Sequence, residues 1–470
     1  MEKLNGNTII EQEVEQSFTL ADFINFPEKD IMDRAREFRQ FSKYIDQHKH
    51  NTVQRVSYSS STPIRLVKDN YTGEMRNMIY MASNDYLNLS SHPKVKQAGI
   101  DAIHKYGTGS GSAPLIGGTT NSHVELEQKI AKFKGCESAM VYSSGYGSNI
   151  STLLSMLDKS DLAIVDELAH ASLIDGCKNT NLKFFRHNDT DYLETILMRF
   201  SNDFRTKLII IDGVYSMDGD IAKLDKIVPL AKKYGAYLML DEAHATGVLG
   251  ETGSGTAEHF NLKGQIDIVC GTFSKSLGGV GGFVASNAEL INLLRFYSRG
   301  YMFSASMTPP TAAAISAAID IIKSEPERRE RLWRNIKYFK RKLLELGFNI
   351  GQSETAIFPI IIGDDFIVKE MCRDLNDLNI YVNPVIYPAV PRKSSRLRLS
   401  LMADHSQKHL DKVLKALEEL GKKYKVIKGE SEREKWEVLM PDVTKNNKLP
   451  KYSNHEKHAD RKRNFSLVQY

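Results

Sequence analysis

In the stretch GTFSKSLGGVGGF (271–283), Lys275 stands between two serines, directly after the apolar run IDIVC and directly before a cluster of small residues. Lysines are ordinarily found on solvated faces. An ammonium shielded from water has its charged form disfavoured, so its pKa falls and the free amine becomes a nucleophile for a carbonyl. Other short apolar runs end in groups of complementary chemistry. KLIIID leads into Asp212-Gly-Val-Tyr-Ser216, AYLML into Asp241-Glu-Ala-His244, LAIVD into Glu167-Leu-Ala-His170, and SAMVYSS into Gly145-Tyr146-Gly-Ser-Asn149. Such a set makes a poor metal site, because lysine is the wrong ligand and the carboxylates are few. It suits a Schiff base between Lys275 and an aldehyde.

Pyridoxal phosphate is an aldehyde whose needs this set meets. It requires a lysine for the aldehyde, a carboxylate opposite the pyridinium nitrogen, a flat group on the ring face and an anion site for the phosphate. Asp241, at a strand end, is held rigidly enough to keep the ring protonated and electron-accepting. A helix opening at Gly145-Tyr146 offers free N–H groups and a positive dipole end to a phosphate. The hydroxyls of Thr272 and Ser274 are placed to complete that cradle.

These groups converge only if the strands run side by side. From about residue 76 to 330, short runs rich in Val, Ile and Leu (SAMVYSS, LAIVD, KLIIID, AYLMLDE, IDIVCGT, GGFVAS) alternate with helical stretches. Strands apolar on both faces with helices between them predict an α/β fold around a mainly parallel sheet. Ligands then bind beyond the C-terminal strand ends, where every group above is found. Residues 1–75 read as an N-terminal arm with a helix in FPEKDIMDRAREFRQFSKYIDQ and a strand at TPIRLV. The predicted divisions are that arm, a large cofactor-binding domain (76–330), a small C-terminal α+β domain (331–424) and a basic, flexible tail (425–470). In the small domain FPIIIGD, IYVNPVIYP and SRLRLSLM read as strands, and SQKHLDKVLKALEELGKK as an amphipathic helix.

Composition is consistent with this. A chain of 470 residues with 41% hydrophobic content is long enough for a large domain and a smaller one. The net charge of +5 is too mild and dispersed for a nucleic-acid binder. Four cysteines without a CxxC pair fit a reducing compartment. The start MEKLNGNTIIEQEVEQ is no secretory signal, and no apolar run reaches the roughly 18–20 residues a membrane span needs. A cytoplasmic location is expected, with peripheral membrane contact open through the basic tail and anionic headgroups.

Five motifs in order, SNDYLNLSSHP, HASLIDG, GVYSMDG, DEAHATG and GTFSKS, resemble those of the α-oxoamine synthases across about residues 78–423. That family of pyridoxal-phosphate enzymes, of transferase fold type I, condenses an amino acid with an acyl-CoA. GTFSKSLGGVGGF, with DGCKN after HASLI and HND further on, is most similar to bacterial serine palmitoyltransferases. The resemblance implies that Lys275 forms the Schiff base and later takes the α-proton, and that Asp241 pairs with the pyridine nitrogen. It implies that His170 stacks on the ring and orients the substrate carboxylate, while His244 bonds near the ring hydroxyl with Ser216 beside it. Gly145, Tyr146, Thr272 and Ser274 would hold the phosphate, Ser304 and Ala305 would reach the neighbouring subunit's phosphate, and Asn84 and Arg398 would bind the amino-acid carboxylate. A homodimer with shared active sites follows from the same resemblance.

The implied reaction joins L-serine to a long-chain acyl-CoA with loss of CO2 and CoA, giving a lipid precursor. Related pairs are alternatives: glycine with acetyl-CoA, alanine with a dicarboxylic acyl-CoA as in 8-amino-7-oxononanoate synthase, or cysteate. An idle regulatory subunit is the alternative of another class, and the presence of Lys275, Asp241 and His170 argues against it. DEAH alone also marks helicases, but those need a GxxxxGK[ST] loop that this chain lacks. Two departures from the family pattern bear on substrate choice: Ala113 where many relatives carry arginine, and Ile386-Tyr387 where serine palmitoyltransferases carry a second arginine.

Overall fold

The computed structural model describes Phe23 and residues 29–427; the basic stretch from 428 onward, where lipid contact was expected, lies outside them. The predicted arm helix forms over Ile31–Gln47, with the Asp30 carboxylate accepting from the Met32 and Asp33 N–H groups. The strands are β1 (Ile64–Lys68), β2 (Met75–Tyr80), β3 (Ser138–Tyr142), β4 (Asp161–Asp166), β5 (Asn181–Phe185), β6 (Thr206–Asp212) and β7 (Tyr237–Asp241). They continue as β8 (Ile268–Thr272), β9 (Gly282–Ser286), β10 (Ile357–Ile361), β11 (Ile380–Tyr381), β12 (Asn383–Val385) and β13 (Arg396–Ser400).

Seven strands make the main sheet in the order β3-β9-β8-β7-β6-β4-β5. All run one way except β9, which is antiparallel to both its neighbours. Alternate residues of each strand enter two different cores. Ala163, Val165, Leu208, Ile210 and Met239 pack with Leu153, Leu173, Ile291 and Leu294 on one face. Leu162, Ile164, Ile209, Ile211, Leu238 and Leu240 pack into the larger core on the other. Burial on both faces is why these runs read as continuously apolar. Six of the seven strands match the sequence reading. The seventh, β5, escapes it because it is only partly buried: of NLKFF, Phe185 alone is buried, whereas the other edge strand, β3, is buried over four of its five residues.

Two smaller sheets position the substrate side. β1, β2 and β11 form one, and β10, β13 and β12 the other. The run IYVNPVIYP was expected as a single strand, but the chain changes sheets at Val382: β11 pairs parallel with β2, while β12 pairs antiparallel with β13. The β2–β11 junction is clamped by a stack in which Tyr80 lies on Tyr381 (4.4 Å, 5° interplanar) and the Arg65 guanidinium lies 3.7 Å over Tyr80. Beyond β2, Met81 O accepts from Ser400 N–H (2.6 Å) and Tyr86 O from Ala403 N–H (2.7 Å). The segment bearing Asn84 is thereby fixed beside β13, which bears Arg398. Among the described residues no helix is long and apolar enough to cross a membrane.

Candidate active site

Parallel packing brings the ends of β3, β4, β6, β7 and β8 to one edge of the sheet, as the sequence reading required. At the end of β8, Lys275 is largely enclosed. Burial lowers its amine to about 8; Asp241 and Asp212 oppose that, and Arg398 reinforces it. No hydrogen bond to its Nζ is present among the described residues, which suits an amine meant for a covalent partner.

The glycines after the lysine have a steric reason. Gly278 has φ +66°, its N–H donates to Lys275 O (2.8 Å), and a Cβ there would lie 2.5 Å from Ser90 N and 2.7 Å from Ser90 Cα. The SNDYLNLSS segment therefore lies directly on the lysine loop. Gly278→Ala is expected to destabilise the protein by about 1–3 kcal/mol through strain and to reduce activity, because the loop it displaces carries Asn84 and Tyr86. Urea unfolding and turnover measure both effects; unchanged values would show that the backbone has room there.

Asp241 is buried, and in the β6–β7 register it stands opposite Asp212. Its Oδ1 accepts from Ala243 N–H (2.9 Å) and its Oδ2 from Asn149 Nδ2 (2.8 Å). Asp212 is raised well above an ordinary carboxyl by burial and then by Asp241, so the protonated form is favoured at this neighbour. His170 is exposed, yet enough protein packs around it to lower its pKa; Asp241 opposes this and Lys275 adds to it. Its Nδ1 lies 2.8 Å from Ser172 Oγ, and its main-chain N–H points at Asp212 Oδ1 (3.4 Å). His244 is buried and held well below its usual pKa by burial, then by Lys275 and Arg398. Its Nδ1 is 2.7 Å from Tyr86 Oη, whose own pKa burial pushes up to about 12.

The anion cradle is also assembled. Ser144 Oγ caps the helix Gly145–Met156 by accepting from Gly147 N–H (2.9 Å). A Cβ on Gly145 would meet Thr272 Cβ and Oγ1 at 2.8 Å, so only glycine lets the helix start reach β8. Thr272 Oγ1 donates to Gly281 O (2.9 Å) and is 2.9 Å from Ser274 Oγ. Tyr146 is exposed, bonds to the Asp175 carboxylate and meets the His170 ring edge-on at 6.0 Å.

On the opposite side Arg398 is buried, with Nε donating to Ser216 O (2.7 Å), Nη1 to Ser400 Oγ (3.0 Å) and Nη2 to Asn84 Oδ1 (3.3 Å). Asn84, Ser216 and Arg398 are thus one cluster. Ser304 and Ala305 are not joined to it within this chain. They follow the helix Arg299–Met302 on a loop whose Ser306 N–H donates to Ser112 O (3.1 Å). The sequence reading left three site groups without roles. Tyr86 stands inside SNDYL, Asn149 follows Gly145 by the helical i, i+4 spacing, and Ser172 follows His170 as part of its helix cap.

A family model for aminotransferase class I and II matches residues 76–417. The chain is 44% identical over 354 residues to the 8-amino-7-oxononanoate synthase of Thermoanaerobacter pseudethanolicus, covering 75% of this chain and 90% of that one. It is 39% identical over 407 residues to a 4-hydroxy-2,2'-bipyrrole-5-methanol synthase from Serratia sp., covering 86% of this chain but 62% of that longer protein. Among solved structures, a variant of serine palmitoyltransferase from S. paucimobilis with a bound PLP–myriocin aldimine superposes with a TM-score of 0.80 at 32% identity, covering 85% of this chain and 100% of that one.

The chain belongs to the aminotransferase class I and II family, with the fold type I architecture of its pyridoxal-phosphate enzymes. Within that family its relatives are α-oxoamine synthases, and it is a pyridoxal-phosphate-dependent, acyl-transferring synthase. The residues fit the cofactor: an unpartnered, largely enclosed amine, a glycine-opened helix N-terminus beside two hydroxyls, and a carboxylate held by two N–H donors all stand at one edge of the sheet.

Proposed function

We propose that the protein catalyses the decarboxylating condensation of a small L-amino acid with an acyl-CoA thioester, yielding an amino ketone. The observation that carries this reading is the proximity of Lys275, Asp241 and His170 at the strand ends to Arg398, which is hydrogen-bonded to Asn84. When bound, pyridoxal phosphate supplies the electron sink that makes the α-carbon acidic. Lys275, with its depressed pKa, binds the cofactor and exchanges protons at the α-carbon. Asp241, held by Asn149 and Ala243, would pair with the pyridine nitrogen. Gly145, Tyr146, Thr272 and Ser274 hold the phosphate by N–H and hydroxyl donors at a helix start. His244, neutral and fixed by Tyr86, donates near the ring hydroxyl, with Ser216 beside it.

Arg398 and Asn84 would hold the substrate carboxylate and so fix the direction of the amino acid at the site. His170 would lie against the cofactor ring and offer a ring N–H to the same carboxylate. Ser304 and Ala305 would complete a neighbouring subunit's phosphate site in a homodimer.

For the substrates, two pairs compete. Pocket side chains diverge faster than backbones, so 44% identity weighs more than superposition at 32%. That favours alanine with an ω-carboxylated acyl-CoA, the combination whose decarboxylated product is an 8-amino-7-oxononanoate-type amino ketone. Serine with a palmitoyl-length acyl-CoA is the second reading, favoured by a match spanning the whole of the serine palmitoyltransferase chain. Thiol release across a panel of alanine, serine, glycine and cysteate against dicarboxylic, palmitoyl and acetyl thioesters decides between them. The first pair is expected to lead by about tenfold or more, on the scale of one misfitted substrate group. Release with glycine and acetyl-CoA alone would overturn both pairs.

A further inference from the structure

We infer that Asn149 is a positioning residue that ties the pyridine-facing carboxylate of Asp241 to the ring of His170 through Ser172, fixing the direction of one and the tautomer of the other. Asn149 is buried one turn into the helix that opens at Gly145. Its Nδ2 lies 2.8 Å from Asp241 Oδ2 and 3.0 Å from Ser172 Oγ. An ionised carboxylate only accepts, so the amide must present its NH2 to Asp241. Its Oδ1 is then buried without a donor among the described residues. A lone buried acceptor is destabilising, so this orientation is held by what the NH2 group does.

The chain of donors continues in one direction. Ser172 Oγ accepts from Asn149, which leaves its hydroxyl hydrogen for His170 Nδ1, 2.8 Å away. The Ser172 main-chain N–H approaches the same nitrogen at 3.3 Å. With two donors aimed at Nδ1, the ring proton of the neutral imidazole resides on Nε2. Burial keeps the ring neutral by lowering its pKa, Lys275 acting in the same sense and Asp241 against it. His170 therefore faces the cleft as an N–H donor, while Asp212 Oδ1 holds its main-chain N–H (3.4 Å). Removing the amide of Asn149 frees Asp241 Oδ2 and lets the Ser172 hydroxyl turn away from the ring, so a single side chain controls both groups.

The inference rests on the assignments of Asp241 and His170 proposed above, not on which amino acid or acyl group is used. The test compares holoenzyme carrying Asn149→Ala with holoenzyme carrying Ser172→Ala. Two readouts need no acyl donor: the pH titration of the bound cofactor's absorbance, and exchange of the α-proton of alanine or serine with deuterated water. Asn149→Ala is expected to shift the absorbance midpoint by about one pH unit, the scale of one hydrogen bond to a charged group, and to slow exchange by about tenfold or more. Ser172→Ala is expected to leave the absorbance midpoint in place, because the Asn149–Asp241 bond survives. It should move the acid limb of the exchange profile to higher pH, because Nδ1 loses a donor and the imidazole becomes easier to protonate. Asn149→Ala with wild-type absorbance and exchange profiles would overturn the inference. So would a lowered unfolding midpoint with both profiles unchanged, the mark of a structural role alone. If Asn149→Ala does not give folded holoenzyme, Asn149→Ser makes the same comparison.

Discussion

Lys275→Ala leaves protein that folds but turns over at least about a thousandfold more slowly, the range set by losing a positioned acid–base group together with covalent attachment. The bound cofactor loses the absorbance of its imine, and borohydride no longer traps a lysine adduct. The reasoning starts from what holds the amine. Burial depresses it to about 8 against the pull of Asp241 and Asp212, so near neutrality a useful fraction is unprotonated and nucleophilic, which an exposed lysine near 10.4 does not provide. Alanine removes the amine but none of the groups around it. Asp241 keeps its bonds to Asn149 and Ala243, and Thr272 keeps Gly281. Cofactor binding through the phosphate cradle therefore survives, and the defect is in chemistry. Turnover near the wild-type rate would mean that the nucleophile has been misassigned, and a variant that no longer binds cofactor at all would place the imine among the binding contacts.

Why Lys275 was legible, and Asn149 was not, follows from what a sequence displays. A lysine after a buried strand contradicts the ordinary preference of its type, and the parallel strands other than β5 announce themselves by unbroken apolar runs. Their common direction then places Asp212, Asp241, Thr272 and Gly145 at one edge without further information. Asn149 and Ser172 break no rule in a sequence. A polar residue on a helix reads as solvated until the partner element is known, and here that partner is Asp241, 92 residues away. β5 and the break between β11 and β12 were hidden for a related reason. β5 is only partly buried and lacks the double-faced apolar signal, and the change of sheet at Val382 is decided by pairing with β2 and β13, not by local composition.

A buried ion triad behind the site leads to the other large effect. His187, in the HND stretch, lies between two carboxylates: Nδ1 is 3.0 Å from Asp166 Oδ1 and Nε2 is 2.7 Å from Asp220 Oδ2. Asn188 adds donors to both, through its N–H to Asp166 (3.0 Å) and its Nδ2 to Asp220 (2.9 Å), and the Tyr215 ring meets the imidazole edge-on at 4.3 Å. Burial alone would lower the histidine. The hydrogen bonds and charges of Asp166 and Asp220 overcome it and raise His187 to about 10. The same triad braces the loops on which His170 and Ser216 stand, since Asp166 also accepts from Leu168 N–H (2.9 Å) and Tyr215 N–H donates to Asp220 O (3.1 Å).

His187→Gln leaves two buried carboxylates without their cation and is expected to cost about 3–5 kcal/mol at neutral pH. Because the folded pKa is raised above the ordinary 6.5, the stability His187 contributes is fully present below pH 6.5. It is lost as pH rises from there through about 10. Wild-type protein therefore weakens across that window, and the variant lacks that component of the slope. Two other groups act differently and do not confuse the comparison. His405 is buried with its pKa lowered to about 3, so its contribution is lost only as pH falls below 6.5. A free Lys275 amine gains stability as pH rises from about 8 toward its unfolded value, a term common to both proteins. Urea unfolding of wild type and His187→Gln from pH 6.5 to 10, with cofactor held at one concentration, measures the difference. Parallel curves, or equal stability near pH 7, would show that the imidazole carries no proton between these carboxylates.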